Sequence, residues 1–162
     1  MRTFRLAPMC PAMLTITVVM LALPVAFGVG AGLGHPTLGL PAAIVLVIYA
    51  WIWLRLRPTR FVVGPRAVEV VWPLRRTEIA RDGIVQARLV DRRQLRRDIG
   101  WGMRVGAGGL WGGFGWLWTQ RRGIVQMYVS RVDGFVWIER AGDRPWLLTP
   151  EEPEAFVRAL AG

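Results

Sequence analysis

Met13–Leu33 reads MLTITVVMLALPVAFGVGAGL, 21 residues without a charge. At 1.5 Å of rise per residue such a helix is about 30 Å long, the thickness of a bilayer's hydrocarbon core. A second uncharged run, Leu38–Leu54, sits at the short end of the spanning range, and His35, Pro36 and Thr37 lie between the two. So short a link forces the helices antiparallel. The reading is a transmembrane helical hairpin in residues 1–57, with spans at about 13–33 and 38–54.

The flanks orient it. Arg2 and Arg5 precede the first span, Arg55, Arg57 and Arg60 follow the second, and the connecting loop carries nothing basic. The positive-inside rule then predicts a multi-pass protein of the cell inner (cytoplasmic) membrane with both termini in the cytoplasm. Trp51 and Trp53, one turn after Tyr49, fall where the second span leaves the bilayer, the level indole rings prefer. A secretory signal peptide is the rival reading of Met1–Gly30, but it leaves the second uncharged run unexplained. Ala22, Ala26, Gly30 and Gly34 are spaced for close helix packing, against the hairpin's own second helix or in a dimer. Neither span holds an ionisable group, so an ion or proton pathway has no residue to run on.

Composition divides the chain the same way. Of 162 residues 53% are hydrophobic and 20% charged, yet all 11 acidic residues lie at or after Glu69. Every basic residue is arginine, and the net charge is +10. One cysteine, Cys10, and one histidine, His35, leave no internal disulfide and no two-histidine metal site. Ser130 is the only serine and has no histidine downstream of the spans to serve as its base. The expectation is a chain that is not an enzyme and needs no cofactor.

Residues 58–162 carry the alternation of strands. Val68, Val70 and Trp72 alternate after the turn Gly64-Pro65-Arg66, Arg76–Ala80 can pair back, and Val85–Val90 alternates again. Ile124–Ser130, Phe135–Glu139 and Arg144–Leu148 follow, parted by the turn-forming clusters Arg131–Gly134 and Ala141–Asp143. Short turns at this pitch predict an antiparallel sandwich or barrel. A helix opening at Pro153, with acidic residues in its first turn and Phe156, Val157 and Leu160 on one face, closes the chain.

The ending WLLTPEEPEAFVRAL resembles bacterial pleckstrin-homology-like domains, in which a S/T-P-x-D-P-x-x-F stretch leads into the last helix. Thr149, Pro150, Glu152, Pro153 and Phe156 stand in those places. A Gly-rich aromatic middle at Gly100–Gly115 and the strand Tyr128-Val129-Ser130 add to the likeness, which covers about residues 59–161. The resemblance implies a membrane-anchored member of that family: a PH-like barrel of about seven antiparallel strands, partly open and plugged by a C-terminal capping α-helix. It implies no catalytic residues. Inositide-binding members of the wider superfamily use a basic first β–β loop, whereas here that loop is Gly64-Pro65-Arg66, with one arginine.

Two stretches stand out as candidate contact sites. Asp91-Arg92-Arg93-Gln94-Leu95-Arg96-Arg97-Asp98, if helical, sets Arg92/Arg96 and Arg93/Arg97 as like-charge pairs that a nearby anion would offset. Anionic lipid head groups or a partner are the readings, against a solvated loop with Asp91 and Asp98 as local partners. Ile99–Trp118 holds eight glycines with Trp101, Trp111, Trp116 and Trp118. It lacks the pattern of a phosphate-binding loop, which leaves a kinked strand or an aromatic segment, Trp111 and Trp116 included, at the membrane interface.

The function these features point to is a non-catalytic binding or scaffold module held at the inner membrane surface. Its expected partners are the lipid bilayer, a protein or peptide (or a second copy of the chain), and anionic lipid. The alternative is an accessory or regulatory subunit of a membrane enzyme or transporter complex. The excess after residue 57 is modest, 17 arginines against 11 acidic residues, and no nucleic-acid motif accompanies it.

Overall fold

The computed structural model describes residues 1–161. Both uncharged runs are helices, α1 (Pro11–Gly32) and α2 (Gly39–Arg55), joined by a tight turn at Pro36–Leu38. Helix α1, and α2 taken together with the turn before it (Pro36–Arg55), are each long and apolar enough to cross a membrane. Val19, Val25, Leu40 and Val47 each leave more than 60% of their surface open, a display that water would penalise and lipid would not. Tyr49 ties the pair together by donating its hydroxyl hydrogen to the carbonyl of Met20 at 2.9 Å. Of the glycines spaced for close packing, Gly30 lies against Leu38, whereas Gly34 faces open space.

Residues ahead of the helices form β1 (Arg2–Arg5), which pairs antiparallel with β2 (Arg60–Val63) directly after them. The sequence division placed these residues with the hairpin; in the structure their side chains belong to the sheet. Phe4 lies opposite Phe61, and Leu6 bridges to Pro150. The helical hairpin is thus the connection of a β-hairpin. Both of its lower ends are fixed to neighbouring strands, so the N-terminus and the β-domain share one end of the helix pair.

The first sheet runs β1-β2-β3-β4, with β3 at Ala67–Val71 and β4 at Arg76–Ala80. The second is built from β5 (Ile84–Val90), β6 (Gly102–Gly108), β7 (Gly113–Thr119), β8 (Gly123–Val129), β9 (Phe135–Arg140) and β10 (Asp143–Leu148). Its order is β5-β9-β10-β8-β7-β6. This corrects the expected barrel of about seven antiparallel strands: among the described residues ten strands form two separate sheets and no closed barrel. Three causes are visible. A strand comes from before the helices, the Gly-rich stretch supplies a whole β6–β7 hairpin, and β10 inserts between β8 and β9, pairing parallel with β8.

Two cores follow. Between the sheets lie Phe61, Val68, Val70, Val136, Ile138 and Leu148, each fully enclosed or nearly so. The closing helix α4 (Pro153–Ala161) plugs one end, with Phe156 edge-on to Phe4 at 5.2 Å and to Phe61 at 6.0 Å. On the far face of the second sheet, Val125, Met127, Trp137 and Leu147 are covered by Leu95 and Ile99 of α3 (Arg92–Ile99) and by Met13 at the foot of α1.

Candidate functional site

Helix α3 is set by its ends. Asp91 accepts the backbone N–H of Gln94 at 2.7 Å, Gln94 accepts that of Asp91 in return, and Gly100 in the left-handed region at φ 69° stops it. Leu95 and Ile99 point into the core, and spacing then puts Arg92 and Arg96 on the flank beside them. Arg93 and Arg97 lie on the outer side, where Arg97 offers its carbonyl to Arg121 at 2.7 Å. The two acids do not neutralise the run: Asp91 caps the helix, and Asp98 pairs with Arg88. Among the described residues none of Arg92, Arg93, Arg96 and Arg97 forms an ion pair.

Beside α3 opens a cleft of about 370 Å³, within the range of small-ligand sites. Its floor is apolar, made by Leu117, Met127, Val129, Phe135 and Leu147 from four strands of the second sheet, with Met13 of α1 in the wall. Four guanidinium groups rim it: Arg92 and Arg96 from α3, Arg104 from β6, and Arg131 from the loop after β8. Arg104 has no acidic partner among the described residues. Arg131 has one acidic partner, the exposed carboxylate of Asp133 at 3.4 Å, and also donates to the carbonyls of Asp133 at 3.2 Å and Pro150 at 3.3 Å. The arrangement has the shape and charge to hold an apolar group with an anion at its mouth. It has no nucleophile–base pair, and no group of three or more metal-ligating side chains occurs among the described residues.

The cleft's position relative to the helices is held by a second device. Gly106 and Gly115 face each other across β6 and β7 at φ 130° and 123°, a backbone that an L side chain rarely adopts and that lets the hairpin bend. Its tip reaches α1. Thr17, buried in the first half of that helix, accepts the N–H of Trp111 at 2.9 Å, and its hydroxyl lies 2.8 Å from the carbonyl of Met13 and 3.1 Å from that of Gly109. Trp111, in the left-handed region at φ 59°, packs edge-on to Trp53 at 4.7 Å and Tyr49 at 6.4 Å. The strain of a bulky residue there is offset by those ring contacts. Trp111 therefore joins domain to helix and is half-buried; Trp51 and Trp116 are exposed, and Trp53 is shared between Trp111 and the guanidinium of Arg57 at 4.3 Å. Burial lowers the Arg57 pKa from its usual value.

Behind the cleft, buried Ser130 donates to the carbonyl of Ala7 at 2.6 Å, and Thr149 accepts the N–H of Ser130 at 2.9 Å. The backbone N–H of Ala7 bonds to the Thr149 carbonyl at 2.9 Å. The chain's only serine thus fastens the β1–α1 link to the sheet.

Sequence reasoning reached Arg92 and Arg96 but missed Arg104, Arg131 and Met13. Arg104 had one signal, as the only charge in Ile99–Trp118; the others are brought in by strand order. A family model described as Bacterial PH domain matches residues 59–162. No curated protein and no solved structure matches the chain.

Proposed function

The chain belongs to the bacterial PH domain family, and from that premise we propose that it is a membrane-anchored, non-catalytic binding module. Helices α1 and α2 cross the inner membrane, both termini lie in the cytoplasm, and the domain presents its arginine-rimmed cleft at the bilayer surface to a ligand with an apolar part and an anionic group. The observation that carries this reading is the splice of the helical hairpin into the β1–β2 connection. With the Thr17–Trp111 and Ser130–Ala7 bonds it leaves the domain no free linker, so the cleft stays beside the foot of α1.

Support for the membrane comes from the outward apolar surface of both helices and the arginines at their shared end. Arg93 and Arg97, unpaired on the outer side of α3, add long-range attraction to an anionic surface, about 1 kcal/mol for each arginine close to it. Trp51 and Trp53 sit at the level of the interface. The test is fractionation of cells producing the full chain. It should remain with the membrane through high salt and carbonate and leave only with detergent; recovery in the soluble fraction would end this reading.

One observation favours a second reading, an accessory subunit that docks on a protein. Met103, Val105, Trp116, Trp118 and Ile124 lie exposed on one face of β6–β8, and β6 is a free sheet edge. In-cell cross-linking from residue 118 that recovers a defined second protein would support it.

A further inference from the structure

We propose that the cleft is a lipid site: it takes one acyl chain of an anionic phospholipid, with the phosphate held among Arg92, Arg96 and Arg104. This deepens the binding-module reading and rests on it. The cleft has an apolar floor and a cationic mouth, with Arg131 completing the rim. That pairing fits an amphiphile better than a free anion, because a bare phosphate would leave the floor of Leu117, Met127 and Phe135 without an occupant. It also fits an anion better than a neutral chain, because the three guanidinium groups have no carboxylate partner among the described residues. Arginine presents a planar fork to phosphate oxygens.

Position selects the source. Met13, in the cleft wall, lies in the first turn of α1, at the start of the span read at about residues 13–33. Thr17, which meets the tip of the β6–β7 hairpin, lies one helical turn further on, about 6 Å along the axis. The head-group layer is itself roughly 5–8 Å deep. The mouth therefore sits at the level where phosphates lie, and a chain bending from the leaflet can enter without crossing water. No residue of the Gly64-Pro65-Arg66 loop lines the cleft, so the site does not depend on a basic first loop.

Native mass spectrometry of the detergent-solubilised full chain tests it, with monoacyl phosphatidylglycerol as probe. One bound lipid per chain is expected. Phosphatidylcholine of the same chain length and glycerol phosphate without a chain should both be retained far less. The variant Arg92→Gln/Arg96→Gln/Arg104→Gln should weaken binding on the order of a hundredfold, at about 1 kcal/mol per arginine. Arg93→Gln/Arg97→Gln, on the outer side of the same helix, should bind as the parent does, because in neutral detergent there is no anionic bilayer surface for those two to be drawn to. Val132→Trp, at the exposed rim, should block entry without touching the core. Equal retention of phosphatidylcholine, or equal loss in the Arg93/Arg97 variant, would overturn the proposal. So would binding of an acidic leucine-rich peptide in place of the lipid. A chain that stays in the membrane fraction yet retains no lipid defeats this inference alone; a chain recovered without detergent defeats the module reading as well.

Discussion

Removing the Phe4 ring should unfasten a strand that lies outside the stretch matched by the family model. Phe4 is 8% exposed, sits opposite Phe61 across β1–β2, and meets Phe156 edge-on at 5.2 Å with the ring planes at 81°. Truncating a buried phenylalanine to alanine costs 3–5 kcal/mol when the cavity cannot close. Because β1 is an edge strand and can settle inward, the low end applies, about 3 kcal/mol. In a chain of this size that lowers the melting temperature by about 6–12 °C. The assay is thermal unfolding of the full chain in detergent, followed by tryptophan fluorescence. Phe4→Leu keeps most of the contact and should lose less than about 1.5 kcal/mol, and Arg2→Ala, at an exposed position, should melt with the parent. A Phe4→Ala chain melting within about 2 °C of the parent would refute the docking of β1, and the view of the helices as a β-hairpin's connection would go with it. A fragment cut at residue 58 should likewise lose a strand and expose Phe61, so binding should be measured on the whole chain.

Thr17→Val is nearly isosteric but takes away the acceptor of the Trp111 N–H, at a cost of about 1–3 kcal/mol; hydrogen exchange at residues 109–112 should quicken, and Thr17→Ser should restore it. Gly106→Ala places a Cβ 2.5 Å from the carbonyl oxygen of Phe114 at a φ of 130°, so a loss of about 1–3 kcal/mol is expected by denaturant unfolding. Gly108→Ala, where nothing lies within 4 Å, should cost well under half of that. Burial pushes the Tyr128 pKa up to about 12, from about 10 in the unfolded chain. The folded state holds its proton longer, so the stability present below pH 10 is lost as pH rises toward 12, by about 2–3 kcal/mol. Tyr128→Phe should flatten that alkaline limb in pH-dependent melts.

Local pattern made several elements legible. Arg76–Ala80 is a strand at the expected bounds, the run at Asp91–Asp98 is a capped helix, and Pro153 opens the last helix. What escaped was non-local. Arg2-Thr3-Phe4-Arg5 is a strand, but four residues beside an apolar helix read as a charged flank until β2 arrives to pair with them. The short Arg131–Gly134 turn reads as a hairpin between β8 and β9, yet the parallel bond of β10 to β8 parts them. The candidate cleft was half legible for the same reason. Arg92 and Arg96 are one helical turn apart in sequence, whereas Arg104, Arg131 and Met13 meet them only through sheet order and the docking of α1. Trp111 was readable as an aromatic with an affinity for interfaces, but its packing on Trp53 and Tyr49 depends on the bend at Gly106 and Gly115.

The proposed arrangement has the two helices crossing the bilayer with the cleft on its inner side. Cysteine labelling in intact cells asks this directly, in a Cys10→Ala background that removes the one native thiol. A membrane-impermeant maleimide should label His35→Cys, in the turn between the helices, from outside. It should reach Arg121→Cys, in the exposed β7–β8 turn, only after the cells are permeabilised. Labelling of Arg121→Cys in sealed cells, with His35→Cys protected, would contradict it.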